Sequence, residues 1–294
     1  MGARMAWRLL GNEWEVVVWN RSAEKMKPLV EAGAQRAVTA SEAVADAELV
    51  ITMLENGPVV EDVLFQQGVA QAMKPEAVLV DMSSIPPASA RIHAKRASGM
   101  GLRYLDAPVS GGTVGAEQGS LAILCGGDSV VLAKVKSVLS LLGNTTHVGP
   151  NGSGQLAKLC NQVIVAISIG AVSEGLLLAA AGGANPSAVC EALQGGFADS
   201  RILREHGKRM LDRQWVPGGA STHQLKDLDA VQAIVCELGM QLPLSSQTRL
   251  LFQQLQEDGK GSFDHSALLL ELERLNQPHR VGTGVDQCPS CESR

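Results

Sequence analysis

The chain has 294 residues, of which 45% are hydrophobic, 19% charged and 3% aromatic. That is enough for one large domain or two ordinary ones, with a core built from Ala, Val, Leu and Ile. Twenty-five basic residues against 30 acidic ones give a net charge of -5 with no Lys/Arg cluster, which argues against a nucleic-acid binder. Arg4, Arg8, Glu13 and Glu15 interrupt the apolar start, unlike a secretory signal, and the longest apolar run, Val163–Val172, is too short to cross a bilayer, so a soluble cytoplasmic protein is expected.

The chain opens directly in a helical pattern at Met1–Ala6. The β-branched run Glu15–Trp19 then reads as a strand, and Ala23–Ala32 as a helix ended by Gly33. Leu49–Leu54 is a buried-type strand, Gly57–Ala70 a helix, Ala77–Met82 a strand and Pro86–Ala97 a helix opened by proline. Strands are also expected at Leu102–Ala107, Ser120–Cys125 and Thr146–Val148. Strands alternating with helices imply βαβ units and a mostly parallel sheet over residues 1–149. The character changes at Gly149-Pro150. Ser153–Ala181 is one long helical pattern, apolar nearly all round. Helices follow near 186–195, 200–213, 223–238, 244–257 and 264–275, giving an all-α domain over 150–275. Residues 276–294 carry Pro, Gly, Ser and charge without periodicity and are expected to form a disordered tail. Cys125, Cys160, Cys190 and Cys236 sit singly in apolar segments and read as buried thiols. Cys288 and Cys291 form a CxxC without the further ligands that zinc needs, and the six His show no metal-ligand spacing, so no metal is expected.

The helix at the start, followed by Trp14–Trp19 as what looks like a second strand, suggests a dinucleotide-binding unit, in which a strand and a GxGxxG turn precede the first helix. Only Gly2 stands in place to be the last of the three glycines; the preceding strand and two glycines are expected and absent from the chain as written. Trp19 is followed by Asn20-Arg21-Ser22, without the acidic residue that would bind a ribose 2′-hydroxyl. Arg21 and Ser22 suit a 2′-phosphate, which favours NADP over NAD; alternatively Asn20 and Ser22 merely cap the next helix.

Asp106-Ala-Pro-Val-Ser110-Gly111-Gly112-Thr113 follows a strand end, where open α/β sheets bind ligands. Ser110 offers a hydroxyl, and Gly111-Gly112 offer unobstructed N–H groups that can cradle a carboxylate, though such a turn is also common as plain structure. Lys158 and Asn161 lie three apart on an otherwise apolar helix and so share a face. A buried lysine exchanges its proton near neutral pH; a lysine that merely snorkels to the surface is the bland alternative. Lys226-Asp227-Leu228 is expected to begin a helix, where Lys226 opposes the dipole and suggests a ligand phosphate or ribose.

In this order, MGARMA, WNRS, ITML, DMSS, DAPVSGGTVGAEQGSLAILCGG, GQLAKLCNQ and KDL resemble the β-hydroxyacid dehydrogenases over nearly the whole chain. The resemblance implies a Rossmann-type α/β domain, a linking helix and an all-α domain, assembled as homodimers or homotetramers. It implies hydride transfer between NAD(P)H and a small carboxylate-bearing aldehyde or hydroxy acid. Lys158 then matches the catalytic lysine and Asn161 the polar residue beside it. Ser110, Gly111 and Gly112 match the substrate-carboxylate turn, and Leu54, Ser84 and Lys226 match cofactor contacts. Ser84 stands where many relatives have Thr. Asn161-Gln162, GGFADSRIL and DHSALLLELERL are similar to the tartronate semialdehyde reductase branch. The alternatives are a 3-hydroxyisobutyrate dehydrogenase, a glyoxylate or succinic semialdehyde reductase, and, from another class, an inactive fragment or helical oligomerisation module.

Overall fold

In the computed structural model, residues 1–12 and 14–289 are described. They divide into two compact units, Met1–Lys158 and Leu159–Arg294.

The first unit opens with α1 (Gly2–Leu10), β1 (Val17–Val18), α2 (Lys27–Glu31), β2 (Gln35–Arg36), α3 (Ala40–Val44) and β3 (Leu49–Thr52). α4 (Gly57–Glu61), α5 (Val69–Ala72), β4 (Val78–Asp81), α6 (Pro87–Gly99) and β5 (Arg103–Asp106) follow. β6 (Val109–Ser110), α7 (Gly112–Gln118), β7 (Leu121–Gly127), α8 (Ser129–Leu142) and β8 (Gly143–Gly149) complete it. The helix expected over Gly57–Ala70 is broken. A wide π turn covers Asp62–Gln66, and Gly68 takes φ +77, which ends one helix and starts the next. Helix α8 is not among the elements expected from the sequence; its Val- and Leu-rich run fits a buried strand as well as a buried helix, and its apolar face is well buried.

The sheet is in two pieces. β1 and β2 form a parallel pair, with Val17 opposite Gln35. β3, β4, β5, β7 and β6 run in that order, with β8 alongside β7. β3, β4 and β5 are parallel, with Thr52 opposite Asp81 and Asp81 opposite Asp106, so their carboxyl ends lie level. Among the described residues β1 pairs only with β2. Between its Val17–Trp19 segment and the Leu49–Met53 edge lies a cleft of about 1990 Å³.

The second unit contains most of α9 (Ser153–Ala181), then α10 (Pro186–Ala192), α11 (Arg201–Leu211), α12 (Ser221–Glu237), α13 (Pro243–Leu255) and α14 (Leu268–Leu275). Its core gathers Trp215, Phe252, Met210 and Leu228. α9 corrects one expectation. With 29 residues it is long and apolar enough to cross a membrane by length and composition, although its longest uninterrupted apolar run is short; 28% of its most apolar window is buried.

The stretch from Asn276, expected to be disordered, packs onto this unit as far as it is described. Val281 is fully buried, and Gln287 N–H donates to the Arg213 carbonyl at 2.8 Å. Arg213 is itself buried and donates to Glu273 at 2.5 Å and to Asp286 at 2.8 Å, and the Trp215 indole donates to Asp286 at 2.6 Å. Buried charge is costly unless paired in this way, so the segment is held by electrostatics that periodicity does not reveal. Of the four cysteines expected to be buried, Cys125 and Cys190 are, and burial pushes the Cys125 thiol up to about 12. Cys160 and Cys236 are exposed, as is Cys288; Cys291 lies outside the described residues.

Candidate functional site

Within the first unit, the fold brings five of the sequence-predicted cofactor residues onto one cleft. Gly2, Asn20, Arg21, Ser22 and Leu54 all line it. Gly2 opens α1, whose N-terminal N–H groups carry the positive end of a helix dipole. A Cβ at Gly2 would meet Met53 Cβ at 3.5 Å, an ordinary contact, so close packing does not require glycine here. The Asn20 carboxamide oxygen accepts from the Ser22 N–H at 2.9 Å and sets the turn. Ser22 precedes a short 3-10 turn, Ala23–Met26, but its hydroxyl makes no capping bond, so the bland capping role does not account for it. Arg21 is exposed beside it. These groups suit a phosphate-bearing nucleotide: backbone donors at a helix start, a guanidinium and a hydroxyl.

The carboxyl ends of β4 and β5 carry two buried aspartates. Asp81 accepts from the Thr52 hydroxyl at 2.8 Å and from the Ser83 N–H at 3.0 Å. Burial raises its carboxyl against those bonds, and raises the neighbouring Tyr104 hydroxyl well above its ordinary value. Ser83, fully buried, accepts from the Leu54 N–H at 2.9 Å through its hydroxyl, so the loop after β3 is tied to the loop carrying Ser84. Ser84 itself is half-buried.

Asp106 ends β5. Its two oxygens accept from the Gly152 N–H at 2.7 Å and the Gln155 N–H at 3.0 Å, at the opening of α9. Burial raises its carboxyl, and those two backbone donors oppose the rise. The surrounding glycines are required: a Cβ on Gly126 would come within 2.7 Å of an Asp106 oxygen, and one on Gly154 within 2.3 Å of the Leu124 carbonyl. Beyond Asp106, Ser110 ends β6, and Gly111 takes φ +131 with Leu121 Cδ2 at 3.2 Å from where a Cβ would stand. Gly112 takes φ +65 and begins α7, so the turn presents backbone rather than side chains. Lys158 stands in the second turn of α9, half-buried.

Within the second unit, Asn161 donates to the Gln162 side-chain oxygen at 2.9 Å, and Gln162 donates to Asp227 at 2.6 Å. Gln224 donates to the Gln162 carbonyl at 3.2 Å. Lys226 is exposed on α12, which starts at Ser221. It therefore lies beyond the first turn, and the dipole argument made for it from sequence does not hold. In the KDL segment it is Asp227, next to Lys226, that the structure ties to the Asn161–Gln162 pair.

Histidines far apart in sequence do converge. His206, Asp264 and His265 lie within 4.8 Å of one another. Asp264 already accepts from the Gly218 and Gly219 N–H groups and from both the N–H and the hydroxyl of Ser266, with Arg209 at 3.8 Å. Burial, with neighbouring His206 adding to it, lowers His265 to about 4. A carboxylate so fully engaged ties the loop before α11's neighbour to the start of the last helix, and no metal is assigned to it.

Residues 1–149 match the family described as the NAD binding domain of 6-phosphogluconate dehydrogenase. Residues 152–272 match the NAD-binding region of NADP-dependent 3-hydroxyisobutyrate dehydrogenase. The chain is 41% identical over 279 residues to 2-hydroxy-3-oxopropionate reductase of Escherichia coli K12, covering 94% of each. It is 34% identical to a probable mitochondrial 3-hydroxyisobutyrate dehydrogenase-like protein of Arabidopsis thaliana, covering 94% of this chain and 83% of that one. Among solved structures, a 3-hydroxyisobutyrate dehydrogenase of Mycobacterium tuberculosis with L-serine is 28% identical at a TM-score of 0.84, covering 92% of this chain and 95% of that one.

Proposed function

The chain belongs to the 3-hydroxyisobutyrate dehydrogenase-like family of NAD(P)-dependent oxidoreductases, and on that premise we propose that it reduces tartronate semialdehyde (2-hydroxy-3-oxopropionate) to glycerate with NADPH. The observation that carries the reading is the 41% identity to a 2-hydroxy-3-oxopropionate reductase along nearly the whole chain, supported by Asn161-Gln162 at the motif that carries Lys158. NADPH over NADH is supported by Arg21 and Ser22 lining the same cleft as Gly2 without an acidic neighbour at that strand end.

When bound, the reduced nicotinamide supplies a hydride. The protein's own work is to hold the aldehyde and manage charge and proton. The Ser110 hydroxyl and the Gly111 and Gly112 N–H groups anchor the substrate carboxylate. As the carbonyl carbon takes the hydride, its π electrons move to oxygen. Lys158 stabilises that alkoxide and donates a proton to make the hydroxyl, and solvent reprotonates the lysine. General acid catalysis of this kind is worth roughly 10²–10⁴-fold. Asn161 orients the substrate hydroxyl, and Lys226 contacts the cofactor. The protein works as a homodimer or homotetramer, in which Ile164 and Leu178, 65% and 74% exposed on α9, are covered by a second copy.

The test is kcat/KM measured side by side for tartronate semialdehyde, methylmalonate semialdehyde, succinic semialdehyde and glyoxylate, each with NADPH and NADH. At least tenfold preference for tartronate semialdehyde with NADPH is expected. Faster turnover of methylmalonate semialdehyde would instead assign the 3-hydroxyisobutyrate activity.

A further inference from the structure

One side chain connects the start of the Lys158 helix to the loops after β3 and β4. Gln155 is 1% exposed, and its carboxamide uses both ends. Its oxygen accepts from the Ile85 N–H at 3.1 Å, and its nitrogen donates to the Ser83 carbonyl at 2.7 Å. Those two backbone groups flank Ser84, so the carboxamide bridges that residue much as a neighbouring strand would. Ser83 in turn holds the Leu54 N–H through its hydroxyl. Gln155's own backbone N–H is taken by Asp106, which also holds Gly152. Lys158 follows Gln155 by three residues and so stands on the same helix face. The linkage therefore runs from Leu54 through Ser83 to Gln155 and one turn onward to Lys158, all within the first unit.

Packing alone does not require a glutamine here. A leucine would fill similar space but leave a buried N–H and a buried carbonyl without partners, and the two loops would lose their fixed register against the helix. We propose that Gln155 is a positioning residue, registering the loops of Leu54 and Ser84 against the helical turn that presents Lys158. The inference rests on the roles proposed above for Leu54, Ser84 and Lys158. A displacement of about 1 Å between a bound nucleotide and its acid is enough to cost on the order of 10²-fold in rate.

The test compares Gln155→Leu and Gln155→Glu with the parent and with Lys158→Ala in the full chain, reading KM for NADPH, kcat and their pH profiles, with a thermal melt as the folding control. Gln155→Leu is expected to raise KM for NADPH roughly tenfold and lower kcat by roughly 10- to 100-fold at every pH. Gln155→Glu keeps the acceptor for Ile85 but turns a carboxylate oxygen toward the Ser83 carbonyl. Protonation restores the missing donor, so its KM and kcat are expected to recover toward the parent as pH falls, a rescue that loss of stability alone would not produce. Parent-like KM and kcat in both folded variants, with Lys158→Ala inactive, would overturn the positioning role while leaving the proposed reaction intact. A Gln155→Glu defect with no acid recovery would also overturn it. An active Lys158→Ala would remove the reaction itself, a distinguishable outcome.

Discussion

The two ends of the N-terminal sheet are built on opposite terms. At the β4–β5 end, polar groups sink into the protein only with partners in place: Asp81 with Thr52 and Ser83, Asp106 with Gly152 and Gln155. At the other end, β1 and β2 are two residues each and face a wide cleft rather than another strand. The residues proposed for proton transfer and carboxylate anchoring belong to the first kind of region, and those proposed for the cofactor phosphates to the second. The chemistry that needs the closest placement is proposed where backbone pairing is continuous, and the nucleotide end where the described pairing is only two residues long.

The largest effect expected is on that weaker end. Arg21→Ala removes the guanidinium that follows Asn20 on the cleft, the group assigned to the 2′-phosphate. Binding of NADPH, followed by calorimetry, is expected to weaken roughly tenfold, because a charge-assisted bond to phosphate is lost, while NADH affinity changes little. An unchanged preference for NADPH would mean that this end does not hold the phosphate as argued.

Next comes Asp106→Asn, which strikes the well-satisfied end. An amide accepts one of the two N–H groups but turns its own NH₂ toward the other, Gly152 or Gln155. Stability is expected to fall by about 1–3 kcal/mol in denaturant titration. A neutral result would show that the cage around Asp106 is not what anchors α9.

The smallest effect lies in the second unit. His265 is lowered from 6.5 to about 4 by burial and by its neighbour His206. A histidine depressed in the folded state stays neutral there while the unfolded chain takes up a proton. Its cost is therefore absent above about pH 6.5 and grows as pH falls toward 4. The melting temperature is expected to decline over that window, and His265→Gln to flatten the decline. An identical slope in the variant would remove His265 as its source.

Much of this was legible in the sequence. The strands Leu49–Thr52 and Val78–Asp81 announced themselves by β-branched runs, and α9 by its unbroken helical pattern, because in each case a local period matches a buried face. Motif order singles out Lys158, the Ser110–Gly112 turn and the Asn20–Ser22 turn, and the structure places the last of these on the cleft; their roles rest on the resemblance. What stayed hidden depends on contacts between distant residues. Asp106, Ser83 and Gln155 are polar residues whose meaning lies in partners 46 to 72 positions away. The segment through Asp286 reads as polar and aperiodic, yet it completes the charge of Arg213, which composition alone marks as a surface residue. The two-residue strands β1 and β2 and the two-part helix after Asn56 were blurred because the backbone breaks at Gly68 and the pairing is too short to impose a period.

The most direct test of the account is single-turnover and steady-state reduction of tartronate semialdehyde by the parent and by Lys158→Ala, with NADPH binding measured on the same samples. The account predicts a fall in kcat/KM of at least roughly 10²-fold while NADPH affinity stays within about twofold of the parent. Turnover near the parent level in a folded, nucleotide-binding Lys158→Ala would contradict it.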